Sequence, residues 1–597
     1  KELTSNTDLA ALLPDVQIFH KAVDWALRYD EFFDPKQIDF AKKLIAQGQE
    51  RIKQLRAGEA PWLTQTGLVV RGYRSTLDGS IQPYGLFVPP DSYPNDATPF
   101  RLEVWLAGRG DKRSELAFLA ESETGPLQFT PSHTIVLRPY GRFCNAIKFA
   151  GEVDVFEAMA AVRRQYSIDP MRMIVAGFSM GGASTWHLAT HHPTLWCAAS
   201  PGAGFAETAI YTKALASGKE PPPWWEQKLW NWYNATSYAG NLFNCPTIAY
   251  SGEIDPQKES ADLMEEAMAK EGLKLERLIG PQTAHKYHSQ TKEELAKRLD
   301  ALANKGREPM PKEIHLTTYT LQYPDAAWIA LKGLTQHWER SDVRGTFAGG
   351  HSVTLTTNNV TALRIGIDGV TEMNIDGQKL TFLPPTNVDS VTVHKQGDTW
   401  SFGDLDNTLR KVPGLTGPID DAFMSSFIFV RPTGKPLNEK NGAWIEAEMT
   451  RAMKMWRDIF RGIAPTKDDT ALTGEDIFAK NLILWGDPSS NQVIAKILEG
   501  LPIQWTATKL VVKGITYDAT DHLPILIFPN PLNPKRYIVL NSGMDFRDDA
   551  YGSNALQTPK LPDWAVIDLT TPPGPRWPGK IADAGFFDEV WQMPSKM

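Results

Sequence analysis

Cysteine is scarce. Cys144, Cys197 and Cys245 are the three cysteines among 597 residues, too few for a disulfide framework and not spaced as metal ligands. Cys197 and Cys245 open neighbouring apolar runs, so one bridge is conceivable, although buried free thiols are the favoured reading. No apolar run approaches the roughly 18 residues that a membrane-spanning helix needs. Clusters of Lys and Arg are missing too. The 62 basic residues are outnumbered by 70 acidic ones, for a net charge of -8, which excludes nucleic acid as a main partner because phosphate binding draws on clustered cations. Internal repeats and low-complexity tracts are also lacking. Neither a metal nor a cofactor is expected.

What is present is a globular composition, 42% hydrophobic and 22% charged, with 19 Trp and 43 Pro. The length implies several domains. The chain starts at Lys1, from which either a removed leader or a trimmed sequence is expected, and with a leader a secreted or periplasmic location.

Residues 1–62 read as a helical segment, with Val16, Phe19, Val23, Ala26 and Leu27 on one face of a first helix and Ile38, Ala41, Ile45, Ile52 and Leu55 on a second. Residues 63–305 alternate β-rich runs with helical stretches. Eight strands are expected, at Leu68–Tyr73, Gln82–Val88, Arg101–Leu106, Thr134–Leu137, Met171–Ala176, Trp196–Ser200, Thr247–Ser251 and Lys274–Ile279. Residues 311–410 change to short alternating runs between Gly, Asn and Asp turns, which read as a β-sandwich. Residues 415–597 read as a small α/β domain. There the turn Gly486-Asp487-Pro488-Ser489-Ser490-Asn491 could form an anion-binding nest, but without a G-x-G-x-x-G pattern or a P-loop lysine a capped helix start is the better reading.

The chemistry centres on Gly177-Phe178-Ser179-Met180-Gly181. This fits G-x-S-x-G, a nucleophile elbow in which glycines let a strand and helix pack closely while the serine holds a strained backbone at the tip. A serine hydroxyl needs a base near neutrality and a carboxylate to orient that base. The seventh strand ends in Ser251-Gly252-Glu253-Ile254-Asp255-Pro256, with Asp255 the preferred acid and Glu253 its rival. The loop after the eighth carries His285, the preferred base, and His288, the alternative. His187, His191 and His192 lie on or just after the elbow helix, too near Ser179 in sequence to swing over it, and are taken as structural. The oxyanion is expected to meet the backbone N–H of Met180 and a second N–H from Arg109 or Gly108 after the third strand. Arg142 and the aromatic insertion with Trp224, Trp225 and Trp230 are expected to contact substrate, the insertion serving as a lid that stacks on a sugar or aromatic acyl group.

Gly-Phe-Ser-Met-Gly-Gly, Ser-Gly-Glu-Ile-Asp-Pro and the late Ala-His resemble the catalytic domain of prolyl oligopeptidase-like and esterase-type serine hydrolases, over about residues 66–302. The resemblance implies an α/β-hydrolase fold with Ser179 as nucleophile, Asp255 as acid and His285 as base. Many relatives have His-Gly where this chain has Ala107-Gly108, and Gly-His where it has Ala284-His285. No propeller repeat occurs. An esterase is therefore expected, on acyl, feruloyl or uronoyl esters of a small molecule or polysaccharide, with a peptidase of short substrates as the alternative. A non-catalytic binding or scaffold protein is the alternative of another class.

Overall fold

The computed structural model describes residues 7–90, 98–218, 220–347, 352–367, 370–381 and 390–594. Its first sheet holds β1 (Gly67–Arg74), β2 (Ile81–Val88), β3 (Phe100–Leu106), β4 (Thr134–Pro139), β5 (Ile168–Phe178), β6 (Ala198–Gly202), β7 (Ile248–Gly252) and β8 (Glu276–Gly280). They lie side by side in the order β1-β2-β4-β3-β5-β6-β7-β8. β2 runs antiparallel to both β1 and β4, and all neighbours from β4 to β8 are parallel. This is the α/β-hydrolase arrangement. The chain leaves β3 for β4 on one side and returns for β5 on the other, so the order reverses between β3 and β5. In open parallel sheets a ligand crevice forms at such a reversal, beyond the carboxyl ends of the strands. Gly108 and Ser179 follow those two strands directly.

The apolar pattern explains the core. Leu102, Val104, Leu106, Ile135, Leu137, Met173 and Val175 are all buried and share one cluster with Val155, Ala158 and Val162 of the helix Ala150–Gln165. The helices Pro14–Arg28 and Lys36–Arg56 lie against β1 through Ile18, Phe19, Leu44 and Val70. Gly72 makes this approach possible, because a Cβ there would come within 2.5 Å of the Pro14 carbonyl oxygen. Ile38 and Ile45, expected on the packed face, are exposed, and Leu44 is buried instead. Among the described residues no helix is long and apolar enough to cross a membrane.

Ten strands between Glu313 and Phe402 form two five-stranded sheets, whose inner faces share one core that includes Leu316, Trp328, Leu331, Val343, Leu355 and Leu363. A seven-stranded sheet follows. Its central strands Phe427–Arg431, Asn481–Leu484 and Asn533–Leu540 are parallel, with the helix Glu439–Phe460 as a crossover. Lys509–Val512 belongs to a separate three-stranded sheet. The turn after Leu484 offers no free nest: Asp487 Oδ1 accepts from the amides of Ser489 and Ser490, each at 2.9 Å, and Asn491 caps the next helix.

Cys144, Cys197 and Cys245 are buried free thiols. Burial pushes Cys197 up to about 11 and Cys245 up to about 12, so neither is a ready nucleophile. A thiol reagent should react slowly with the native protein. After unfolding without reductant it should titrate three thiols, and a count of one would show a bridge.

Candidate active site

Ser179 sits between β5 and the helix Met180–His191 with φ 61° and ψ -122°. This backbone conformation is strained for a residue with a Cβ. The neighbouring glycines make it possible. A Cβ on Gly177 would lie 2.4 Å from the Gly181 carbonyl oxygen, and one on Gly181 would lie 2.0 Å from that of Leu106. The Ser179 amide is tied to the Gly202 carbonyl at the end of β6, at 2.8 Å. The serine hydroxyl therefore stands above the sheet edge at the head of a helix whose first amides have no intrahelical partner.

Two loops bring the other groups to it. Gly252 ends β7, where a Cβ would collide with the Thr283 and Ala284 carbonyls at 2.1 and 2.3 Å. Its bareness lets the loop after β8 close down. Ile254 N–H donates to the Thr283 carbonyl at 3.1 Å, and Glu253 accepts from the Gln282 amide at 2.7 Å. Glu253, the rival acid, thus braces the loop that carries His285. His288, the rival base, caps the helix Ser289–Lys305 by accepting from the Thr291 amide.

His285 Nδ1 lies 2.8 Å from Asp255 Oδ2, and its Nε2 lies 2.8 Å from Ser179 Oγ. Asp255 is 4% exposed, and its other oxygen accepts from the Gln257 amide at 2.9 Å. A carboxylate only accepts, so Nδ1 carries the proton toward Asp255 and Nε2 is left with a lone pair facing the serine hydroxyl. The Phe178 ring packs on the imidazole, centroids 4.8 Å apart. Ser179, His285 and Asp255 form one unbroken hydrogen-bonded line.

The loop after β3 lies over the elbow. A Cβ on Gly108 would stand 3.6 Å from Ser179 Cβ and 3.3 Å from the Phe178 carbonyl oxygen. Arg113 Nη1 donates to the Gly108 carbonyl at 2.9 Å, and its Nε donates to Glu121 at 2.9 Å. In a trans peptide the carbonyl and the following N–H point opposite ways. Holding the Gly108 carbonyl toward Arg113 leaves the Arg109 N–H on the other side of that peptide.

Residues 149–305 match the prolyl oligopeptidase family. That stretch carries Ser179, Asp255 and His285 and is a serine hydrolase domain. Among solved structures, a thermostable esterase aligns at 18% identity over 40% of this chain and 63% of its own, with a TM-score of 0.30. A fluorophosphonate-binding serine hydrolase of Staphylococcus aureus aligns at 15% over 40% of this chain and 100% of its own, with a TM-score of 0.30. A puromycin-hydrolyzing peptidase of Mycobacterium tuberculosis aligns at 16% over 40% of this chain and 39% of its own, also at 0.30. None of the curated proteins matches the chain.

The C-terminal part of the chain walls the hydrolase site. Arg109 Nη1 donates to the Gly552 carbonyl at 3.1 Å, Asn554 Nδ2 donates to the Cys144 carbonyl at 2.8 Å, and Lys148 Nζ donates to the Asn554 carbonyl at 3.0 Å. Burial holds the Lys148 amine well below the usual lysine range. Cys144 and Ala146 pack with Met180, Phe143 and Phe205 as an apolar cluster beside the serine. The loop that supplies them has positive φ at Arg142, Phe143, Ala146, Ile147 and Phe149, and so many strained residues persist only where surrounding contacts hold them. Asn554 had no sequence signal, being 375 positions beyond Ser179.

Arg142 does not reach substrate. It is fully buried and forms a bidentate pair with Asp78, at 2.9 and 3.1 Å, and also donates to the Phe460 carbonyl. Trp456 Nε1 donates to the same Asp78 at 2.8 Å. The expected lid is an interdomain joint as well. Trp225 Nε1 donates to the Lys560 carbonyl at 3.1 Å, and the buried Glu226 pairs with Lys560 and Arg576 at 2.8 Å each. Trp230 is buried, and Trp232 stacks on Tyr233 with planes 4° apart. Trp224 is 53% exposed, with its edge on Phe586. The structural reading of the three histidines fits a cluster in which His187 and His191 are buried and His192 is partly exposed. Glu152 contacts His187 at 2.9 Å and His192 at 2.7 Å, and these contacts outweigh burial to hold its carboxyl well below the usual range.

Proposed function

We propose that the chain is a carboxylic ester hydrolase that works through an acyl-enzyme on Ser179. The observation that carries the hydrolytic reading is the pair of 2.8 Å contacts joining Asp255, His285 and Ser179. In this reading Ser179 Oγ attacks the ester carbonyl as its proton passes to His285 Nε2, while Asp255 stabilises the imidazolium. The oxyanion is met by the N–H groups of Met180 and Arg109. Collapse breaks the ester C–O bond, and His285 returns its proton to the leaving alcohol. Water then repeats the sequence on the acyl-serine and releases the acid.

One feature supports an ester over a peptide. The residue after Ser179, Met180, packs in an apolar cluster with Cys144 and Ala146 and the partly buried Phe143 and Phe205, surroundings suited to a short acyl group. The tryptophans no longer argue for a polysaccharide, because Trp225, Trp230 and Trp232 are committed to packing. Short nitrophenyl and methyl hydroxycinnamate esters should be cleaved, and an Ala- or Pro-nitroanilide should not. The reverse result would overturn the esterase assignment in favour of a peptidase.

Arg113 acts here by holding the Gly108 peptide in place. Arg113→Met should lower kcat by about tenfold to a hundredfold, a part of what losing an oxyanion donor costs, with KM little changed and Arg113→Lys partly restoring the rate. A change confined to KM would place Arg113 in substrate binding instead.

A further inference from the structure

We propose that the groove between the hydrolase sheet and the helix Ser289–Lys305 binds a small apolar amine through Glu103. A cavity of about 600 Å³ lies there, lined by Leu102, Phe129, Pro131, Ile174, Ala296 and Leu299. A second cavity of about 260 Å³ shares Glu103, Gln128 and Phe129 with it and extends to Ala107 and Gly108. Volumes of this size hold small-molecule ligands, and the lining of the larger one also includes Arg172, Lys292, Glu293 and Lys297.

Of the two polar residues that both cavities share, Gln128 already accepts from Lys292 Nζ at 3.2 Å, and Glu103 is the acidic one. Alternation along β3 places Arg101, Glu103 and Trp105 on one face of the sheet. The Arg101 guanidinium is already engaged by Thr134 Oγ1 and Asn304 Oδ1, at 3.1 Å each, and by Asp300. Glu103 is 3% exposed, and its Oε1 has no hydrogen-bond partner among the described residues. Burial pushes its carboxyl up to about 7 despite Arg101. Buried carboxylates in folded proteins are paired, and an unpaired acceptor is costly to leave. The missing partner is a donor. An ammonium supplies both N–H donors and the opposite charge, and charge-assisted bonds are about twice as strong as neutral ones. An alcohol of the same shape supplies a neutral donor, and a carboxylate supplies repulsion.

The larger cavity includes none of Ser179, Asp255, His285 or Gly108, and an amine is no ester, so binding can be measured on the full chain without turnover. In titration calorimetry, 2-phenylethylamine should bind with one site per chain, more tightly than 2-phenylethanol, and 3-phenylpropanoate should not bind. Glu103→Gln should weaken the amine by at least about tenfold while changing the alcohol little, as expected when a charge-assisted bond is replaced by a neutral one. Ala296→Trp, which fills the cavity from the helix side, should abolish binding of both and leave ester turnover unchanged. Failure of the amine to bind the native chain would overturn the proposal. So would equal affinity for amine and carboxylate, or amine binding unaltered in Glu103→Gln or Ala296→Trp.

Discussion

Replacing Ser179 by Ala should lower kcat/KM for an ester by about four to six powers of ten, the loss expected when a triad nucleophile is removed and oxyanion and binding effects remain. The fold should be unaffected. The hydroxyl's bond is to His285, at 2.8 Å, and the elbow is fixed by backbone contacts such as the 2.8 Å bond from Ser179 N to the Gly202 carbonyl. Alanine carries the same Cβ as serine and so keeps the strain at φ 61°. Ser179→Gly should behave differently. Glycine adopts that region freely, so this variant should be as inactive as the alanine one but about 1 kcal/mol more stable. Steady-state kinetics and denaturant titration of the two variants check both statements. Substantial residual turnover in either would remove Ser179 from the proposed chemistry.

The second large effect lies away from the serine. Arg142→Met should destabilise the chain by about 3–5 kcal/mol, because removing one partner of a buried pair leaves the other charge uncompensated. Burial raises the Asp78 carboxyl, but Arg142 beside it outweighs this and holds it at about 2, below its ordinary 3.8. A carboxyl lowered on folding contributes stability that is fully present above its unfolded pKa and is lost as pH falls through its folded one. Wild type should therefore lose about 2 kcal/mol from this group as pH falls from about 4 to about 2. That acid-linked loss should be missing from Arg142→Met. Denaturant titrations at several pH values would show it, and near-native stability of the variant at pH 7 would mean that Arg142 is not the partner that holds Asp78 ionised.

The site was legible where its cause is local and opaque where it is not. Gly177, Ser179 and Gly181 are read from five adjacent residues because the steric demands of the elbow are set within one turn of chain. Asp255 and His285 could be placed since each follows a strand whose apolar run is visible, and strand ends on a parallel sheet share one edge. Glu253 could not be separated from Asp255 by pattern. What separates them is that Asp255 Oδ2 lies 2.8 Å from His285 Nδ1, while Glu253 accepts from the Gln282 amide across the loop. Arg142 and Trp225 were read as substrate contacts because each sits near the expected catalytic edge. Arg142 is held by Asp78, 64 positions earlier, and by the Phe460 carbonyl, and Trp225 by the Lys560 carbonyl more than three hundred positions further on. No periodicity in any of these neighbourhoods announces them. The same holds for Arg113, whose hydrogen bond to Gly108 depends on how the loop after β3 folds back.

The joint between the hydrolase and the C-terminal sheet has a consequence for synthesis. Phe460, Trp456, Asn554 and Lys560 leave the ribosome after the whole of residues 63–305, and at usual elongation rates of about 5–20 residues per second the delay from Lys305 to Asn554 is about ten to fifty seconds. During that interval Glu226 lacks Lys560, and Arg109 and Cys144 lack the wall that later holds them. The wall beside Ser179 can therefore be completed only after the last part of the chain has emerged.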